Sequence, residues 1–296
     1  MRDLGLGMCV VGGGTMGVGI AYVHAAAGWH VWLVEPNEGR RGQLPGILAA
    51  AAQSGRERGR LDDEQFEAVT RGIRILPALG GLPRDLHLAI ETVPEIPALK
   101  EKVLAELDSL GPGLIGTNTS SISIDRLACC VRDPSRFLGM HFFNPVWSLP
   151  MVELVRGEKT SSATLDLARE YAESTGKTTV VSRDMPGFAT SRLDVLMAME
   201  AIRMVEDGVA SAADIDKGMV TAFRHPVGPL RLTDIVGLDV RLDIATYLAG
   251  ALGDRFAPPK LLREMVARGD LGVKSGRGFF DWSETRAFIS SKSGKQ

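Results

Sequence analysis

The chain has 296 residues, with 34 basic and 36 acidic side chains and a net charge of −2. That length holds one large domain or two ordinary ones with a substantial core. Balanced charge argues against a dominant nucleic-acid or anionic-membrane role, and 45% hydrophobic with 24% charged residues excludes global disorder.

Glycine is abundant, at 34 residues against a usual share of about 7%. An α/β protein rich in tight strand-to-helix turns has this composition. The cysteines are Cys9, Cys129 and Cys130, which offer neither a disulfide framework nor a metal quartet. All three are expected to be packing residues in a reducing cytoplasm, and no metal is expected.

From Leu4 to Val34 the chain carries no Asp, Glu, Lys or Arg, yet it contains eight glycines and two histidines. That stretch reads as a buried strand, a glycine turn and a buried helix, not as a signal peptide or membrane span. No targeting segment and no internal repeat is expected. Met8–Val11 reads as the strand, Met16–Ala27 as the helix capped by Gly28, and His30–Val34 as a second strand ending at Glu35. Leu44–Ala52 follows as an Ala-rich helix that runs into a basic, flexible stretch with Arg56, Arg58 and Arg60. Asp62–Thr70 reads as a short helix. Strands are expected at Ile73–Leu76, Leu86–Ile90, Leu114–Thr117, Phe137–Phe143, Met151–Val155 and Thr178–Ser182. Helices are expected at Ala98–Leu110 and from a Thr160 cap through Ser174.

The alternation then stops. Phe188–Glu206, Ala212–Ala222, Leu230–Leu248 and Pro259–Ala267 all read as helices, with Ser211 and Asp214 forming a capping box. The fold class is therefore α/β: a Rossmann-type doubly wound sheet over residues 1–184, then an all-helical domain over 185–296. Residues 290–296 are polar and expected to fray.

Gly12-Gly13-Gly14-Thr15-Met16-Gly17 is a G-x-G-x-x-G loop that follows a strand and opens a helix. Gly12 permits the turn, Gly14 lets a pyrophosphate approach the backbone, and Gly17 lets the helix press on the strand. With Thr15 and Met16, these residues form the expected dinucleotide cradle, the helix N-terminus facing the phosphates. Glu35, 18 residues past Gly17, is placed to accept the ribose hydroxyls and repel a 2′-phosphate, which favours NAD over NADP. Arg40 and Arg41 nearby weaken that preference, and the alternative for Glu35 is a solvated strand-end acid.

His141 lies in an apolar run. Alone, it reads more readily as a satisfied core histidine. Glu153, on the next apolar strand after the Asn144-Pro145 turn, changes that balance. A returning hairpin brings its carboxylate against the imidazole, and a buried Glu needs a partner. The pair then forms an oriented general base.

The chain resembles the 3-hydroxyacyl-CoA dehydrogenase family, particularly its short bacterial 3-hydroxybutyryl-CoA members, from about Leu6 to Trp282. The markers include the Gly12–Gly17 loop, Glu91 to Glu95 with Lys100, Asn118-Thr119-Ser120-Ser121 and His141-Phe142-Phe143-Asn144-Pro145. Val152-Glu153-Leu154, Pro186-Gly187-Phe188, Pro226-Val227-Gly228-Pro229, Gly237-Leu238-Asp239 and Lys274-Ser275-Gly276-Arg277-Gly278-Phe279-Phe280 complete the set. The resemblance implies that His141 takes the proton of the substrate 3-hydroxyl while Glu153 pairs with it. It also implies that Ser120 bonds the substrate oxygen, that Asn144 places substrate or nicotinamide, and that Glu95 and Lys100 line the nicotinamide end. The alternative for Ser120 is a helix cap, with Ser121 its nearest competitor.

Two departures bear on substrate. Ser191, flanked by Thr190 and Arg192, stands where the family has Asn; a lost hydrogen bond is worth roughly 1–2 kcal/mol, about tenfold. The family's serine and lysine contacts to coenzyme A are replaced by Ala51 and Arg58. The Arg56, Arg58 and Arg60 cluster suits phosphates or an acidic acyl carrier protein, or is a solvated helix face. Leu193, Leu196, Met197, Met199, Ile202, Met204 and Val205 exceed one apolar stripe, which suggests a homodimer through the helical domain, as in the family.

The expected function is NAD-dependent oxidation of a 3-hydroxyacyl thioester, CoA-linked and short-chain, in a cleft between the two domains. The alternatives are a superfamily relative acting on a carrier-bound or free hydroxy acid, of the gulonate or carnitine dehydrogenase kind, and a catalytically quiet NAD-binding protein. No nucleic acid and no membrane is expected as a partner.

Overall fold

The computed structural model describes residues 4–284; the expected fraying of residues 290–296 lies outside them. The chain divides into two compact units, one ending at Phe188 and one beginning at Ala189.

The first unit is built on one eight-stranded sheet. Its strands are β1 (Gly7–Val11), β2 (His30–Val34), β3 (Arg74–Leu76), β4 (Leu88–Glu91), β5 (Leu114–Thr117), β6 (Phe137–Phe142), β7 (Met151–Arg156) and β8 (Thr178–Arg183). Their order is β3-β2-β1-β4-β5-β6-β7-β8. Strands β1 to β6 pair in parallel, β7 runs antiparallel to β6, and β8 is parallel to β7. Every residue of β4, β5 and β6 is buried, as a parallel sheet covered on both faces requires. The order reverses at β1 and β4, and ligands of such sheets bind beyond the strand ends at that reversal.

Helix α1 (Thr15–Ala26) is buried from Gly17 to Ala26. It carries no charge, and its small residues allow close contact: a Cβ at Gly19 would lie 2.7 Å from Val146. Helix α2 spans Glu38–Glu57, longer than the sequence suggests at both ends. The Asn37 side chain accepts from Arg40 N and starts it six residues before the apolar pattern becomes visible. The Arg56 region is therefore helical down to Glu57. Helices α3 (Asp63–Glu67), α4 (Pro97–Leu110), α5 (Ile124–Ala128) and α6 (Ser162–Ser174) complete the unit. Five-residue α5, capped by Ser123, is too short to show a period and was not expected. Ser161, not Thr160, caps α6; the Thr160 hydroxyl is buried and donates to Phe137 O at 2.7 Å.

The second unit contains α7 (Thr190–Glu206), α8 (Ala212–Phe223), α9 (Pro229–Val236), α10 (Leu238–Leu252) and α11 (Lys260–Ala267). Val195, Met199, Ile202, Leu230, Leu238, Leu248 and Leu262 form its core. The single helix expected over Leu230–Leu248 is broken at Gly237, whose φ of 106° no L side chain adopts comfortably. Only half of the expected capping box forms. Ser211 Oγ accepts from Asp214 N, but the Asp214 carboxylate returns to the Ser211 hydroxyl and not to its backbone. Of the cysteines, Cys9 is buried as expected, whereas Cys129 is exposed and Cys130 half-buried. They follow the five-residue α5, where the chain has too little structure to cover them.

His24 is fully buried on α1, with Nδ1 donating to Ile20 O at 2.8 Å and Nε2 lacking a partner among the described residues. Burial pushes its pKa down to about 4. Between that value and the ordinary 6.5, the unfolded chain takes up a proton that the folded chain refuses. Stability therefore falls as pH drops through this window, by about 3 kcal/mol in total. Urea unfolding at pH 7 and pH 4.5 should show this loss, and His24→Leu should reduce it; an identical pH slope in the variant would contradict the assignment.

Candidate functional site

At the end of β1 the backbone turns through Gly12, at a φ of 113°. A Cβ there would sit 2.9 Å from Thr92 O, and one on Gly17 would collide with Gly12 O. Gly14, in contrast, faces open space. It caps α1 without a side chain, so it offers no side-chain acceptor to the first N–H groups of the helix. The loop is thus closed behind and open in front, which is what close approach of a pyrophosphate needs.

A cleft of about 700 Å³ opens here. Gly12, Gly14, Thr15 and Met16 line one side, and Glu35 and Arg40 lie at one end. The opposite wall is formed by Thr92, Val93, Pro94, Glu95, Asn118, Thr119 and Ser120, with His141, Phe142, Phe143 and Asn144. Thr92 and Asn118 fall within the sequence markers but were given no role there. Thr92 Oγ1 donates to Val11 O at 2.9 Å, and Asn118 Oδ1 accepts from Phe142 N at 2.9 Å. Neither contact has a local sequence signal, because each links segments far apart in the chain.

Glu35 lies just beyond β2. One oxygen accepts from Gly13 N and the other from Asn37 N, both at 2.8 Å. Each oxygen keeps acceptor capacity toward the cleft. The residues fit NAD: an open glycine cradle at the centre and an anchored acceptor at one end.

His141 and Glu153 face one another in the antiparallel β6–β7 pairing. Side chains opposed in this way share one face of the sheet. Nδ1 lies 3.1 Å from Glu153 Oε2, with the Glu153 side chain fully buried and that of His141 8% exposed. Taking Glu153 as ionised, Nδ1 carries the proton and Nε2 is the basic nitrogen. The imidazole packs 4.3 Å from the Phe143 ring and 6.0 Å from that of Phe188. Asn144 follows on the rim, with a cis bond to Pro145.

Ser120 N donates to Glu95 Oε1 at 3.1 Å, as does Ser121 Oγ, also at 3.1 Å, and the Thr119 hydroxyl donates to the same oxygen. The Ser121 hydroxyl is therefore committed, whereas the Ser120 hydroxyl has no partner among the described residues and lies at the cleft. Ser120 caps no helix; Ser123 does.

Lys100 does not line the cleft as expected. Its side chain is fully buried, donating to both Glu91 oxygens at 2.9 and 3.0 Å and to Asn118 O at 2.9 Å. It approaches Glu95 at 3.5 Å and so lies one layer behind the wall. The reason is Glu91. This carboxylate is also fully buried, and its pKa is pushed up by burial and pulled back by Lys100, the Thr117 hydroxyl and Val93 N–H. A buried charge of this kind captures the nearest cation.

The remaining residues of interest lie elsewhere. Ser191 and Arg192 belong to the first turn of α7 in the second unit. Ala51 is half-buried against the core and Arg58 is exposed. Arg56 pairs with Asp63 at 2.8 Å, and Arg60 donates to Ser148 at 2.7 Å. Among the described residues, no cluster of His, Cys, Asp and Glu suits a metal ion, and no helix is long and apolar enough to cross a membrane.

Fold and cleft together define a dinucleotide-dependent oxidoreductase. The sequence matches the NAD binding domain of 3-hydroxyacyl-CoA dehydrogenase over residues 7–185 and the C-terminal domain of that enzyme over 187–282. A 3-hydroxybutyryl-CoA dehydrogenase of Mycobacterium tuberculosis is 41% identical over 282 residues, covering 92% of this chain and 97% of the relative. The crystal structure of M. tuberculosis FadB2 superimposes with a TM-score of 0.86 at 39% identity, covering 93% of this chain and 98% of that one. The (S)-3-hydroxybutyryl-CoA dehydrogenase PaaH1 of Ralstonia eutropha gives 0.88 at 34% identity, with the same coverage. The chain belongs to the 3-hydroxyacyl-CoA dehydrogenase family, and its cofactor is NAD.

If Lys100 supports the wall from behind, its loss must leave Glu91 buried and unpaired. Lys100→Met is expected to destabilise the protein by about 3–5 kcal/mol in urea unfolding, with Glu91→Gln in the same chain restoring part of the loss. Near-native stability of the single variant would show that the pair is not coupled.

Proposed function

We propose that this protein catalyses the reversible oxidation of a 3-hydroxyacyl thioester, a short-chain 3-hydroxyacyl-CoA, to the 3-oxoacyl thioester. The observation that carries the reading is the His141–Glu153 pair on the same cleft wall as the uncommitted Ser120 hydroxyl. NAD, when bound, accepts the hydride that leaves C3.

The chain's own residues manage the proton. His141 Nε2 accepts it from the 3-hydroxyl, while Glu153 holds Nδ1–H and stabilises the imidazolium that forms. The Ser120 hydroxyl bonds the substrate oxygen and so fixes C3 relative to His141. In the reverse direction the protonated His141 returns the proton as carbonyl becomes alcohol. Asn144 on the rim orients substrate or nicotinamide. The phenyl rings of Phe143 and Phe188 shield the imidazole from bulk water.

The thioester is carried by coenzyme A in this reading, the Arg56–Arg60 segment offering cations to its phosphates; an acyl carrier protein is the alternative carrier for the same cations. Inhibition by free coenzyme A discriminates, because only the thioester reading predicts it; a free hydroxy acid, for which Arg192 is a candidate clamp, does not. The helical unit exposes Leu193, Phe223 and Ile235 at 69, 69 and 53%, which supports a homodimer through that unit; sedimentation of the intact protein tests this. The cytoplasm is the expected compartment, in keeping with three free thiols.

The test is consumption of NADH with acetoacetyl-CoA, run beside free acetoacetate. Turnover of the CoA ester and not of the free acid is expected. His141→Gln is expected to lower kcat by at least about a hundredfold while NADH still binds. Wild-type turnover in that variant would remove His141 as the base.

A further inference from the structure

The end of the cleft beyond β2 holds two opposed signals. Dinucleotide sites that take NAD place an acid after the second strand, and those that take NADP place an arginine nearby. This site has both. Glu35 cannot swing aside, because Gly13 N and Asn37 N anchor its two oxygens at 2.8 Å. Arg40 lines the same cleft and is held as firmly. Its backbone N–H is capped by Asn37 Oδ1 at 2.8 Å, and its Nε donates to Gly13 O at 2.7 Å.

What distinguishes Arg40 is its remaining hydrogen-bonding edge. Nη1 and Nη2 make no hydrogen bond or ion pair among the described residues, although Glu35 is only five positions away. Arg41 is different: its Nη1 is spent on Glu35 O and Pro36 O, both at 3.0 Å. The cleft's second carboxylate, Glu95, is taken by Thr119, Ser120 and Ser121. Arg40 therefore presents a fixed, half-buried guanidinium with two free N–H-bearing nitrogens beside the acid that should meet the ribose. A guanidinium fork of this kind pairs with phosphate oxygens in parallel.

We propose that Arg40 is a second specificity-determining residue and that the cleft accepts 2′-phosphorylated dinucleotides as weaker ligands beside NAD. Glu35 opposes the 2′-phosphate by charge, and Arg40 draws it. The preference for NADH over NADPH is then a difference between two fixed side chains and stays within about a hundredfold, where a lone acid would exclude NADPH. The inference rests on dinucleotide binding at the Gly12–Gly17 loop and not on the identity of the acyl substrate.

The test is equilibrium binding of NADH and NADPH to the intact protein, followed by nucleotide fluorescence, with AMP and 2′,5′-ADP as competing fragments. A binding readout separates this inference from the thioester reading, since it needs no turnover. Wild type should bind NADPH saturably. Arg40→Ala should weaken NADPH and 2′,5′-ADP by about tenfold or more, as loss of hydrogen bonds to a charged group predicts, and weaken NADH by less than about threefold. Glu35→Gln should tighten NADPH by at least about tenfold. Arg40→Lys keeps the charge but loses the fork and the Nε bond to Gly13 O, and should recover only part of the NADPH affinity that Arg40→Ala loses. Equal weakening of NADH and NADPH in both Arg40 variants would overturn the proposal and leave Arg40 as a brace for the loop. So would an absence of NADPH binding in both wild type and Glu35→Gln.

Discussion

The antiparallel pairing of β6 with β7 is the constraint on which the rest of the site depends. In an otherwise mostly parallel sheet, this one reversal sets His141 directly opposite Glu153. A carboxylate with no exposed surface costs several kcal/mol unless something compensates it. The imidazole is that compensation, and the pairing fixes which of its nitrogens is left for chemistry. The same reversal carries Phe143 and Asn144 to the cleft and packs Val146 against Gly19 of α1. The helix that opens from the glycine loop and the hairpin that bears His141 therefore touch directly. A side chain at Gly19 would push them apart, and the distance between the glycine loop and His141 would change with it.

A second buried charge pair performs the corresponding task on the opposite wall. Glu91 ends β4, Thr117 ends β5, and Lys100 comes from the first turn of α4; all three meet beneath the surface of the cleft. Lys100 also binds Asn118 O and lies near Glu95, which in turn gathers the Thr119–Ser121 segment. The position of the Ser120 hydroxyl is thus set by a chain of contacts that begins in the core. Two buried carboxylates, Glu91 and Glu153, hold the two walls, with Lys100, Thr117 and Val93 N–H against the first and the His141 imidazole against the second.

Much of this was legible in the sequence, for identifiable reasons. The strand–glycine loop–helix–strand unit is local, so spacing alone reveals it. Glu153 was readable as a partner for His141 because both sit on short apolar strands joined by a turn, where alternation fixes the facing side. The depth of Lys100 was not readable, because nothing local says that a helical lysine points at a buried acid nine residues earlier. The break at Gly237 was hidden because the apolar pattern continues smoothly through it. Ser123 and the short α5 escaped because one turn of helix has no period. Arg40 was visible only as a charge near Glu35; its free edge depends on which acceptors its neighbours had already taken.

The central claim is that Glu153 acts through His141, orienting the imidazole and stabilising its charged form. Steady-state kinetics of Glu153→Gln with acetoacetyl-CoA and NADH, with NADH affinity measured alongside, tests it most directly. Glutamine keeps the shape and can hold a hydrogen bond but carries no charge. The account predicts that kcat falls by about a hundredfold or more while NADH binding is unchanged. Unchanged kcat in this variant would contradict it.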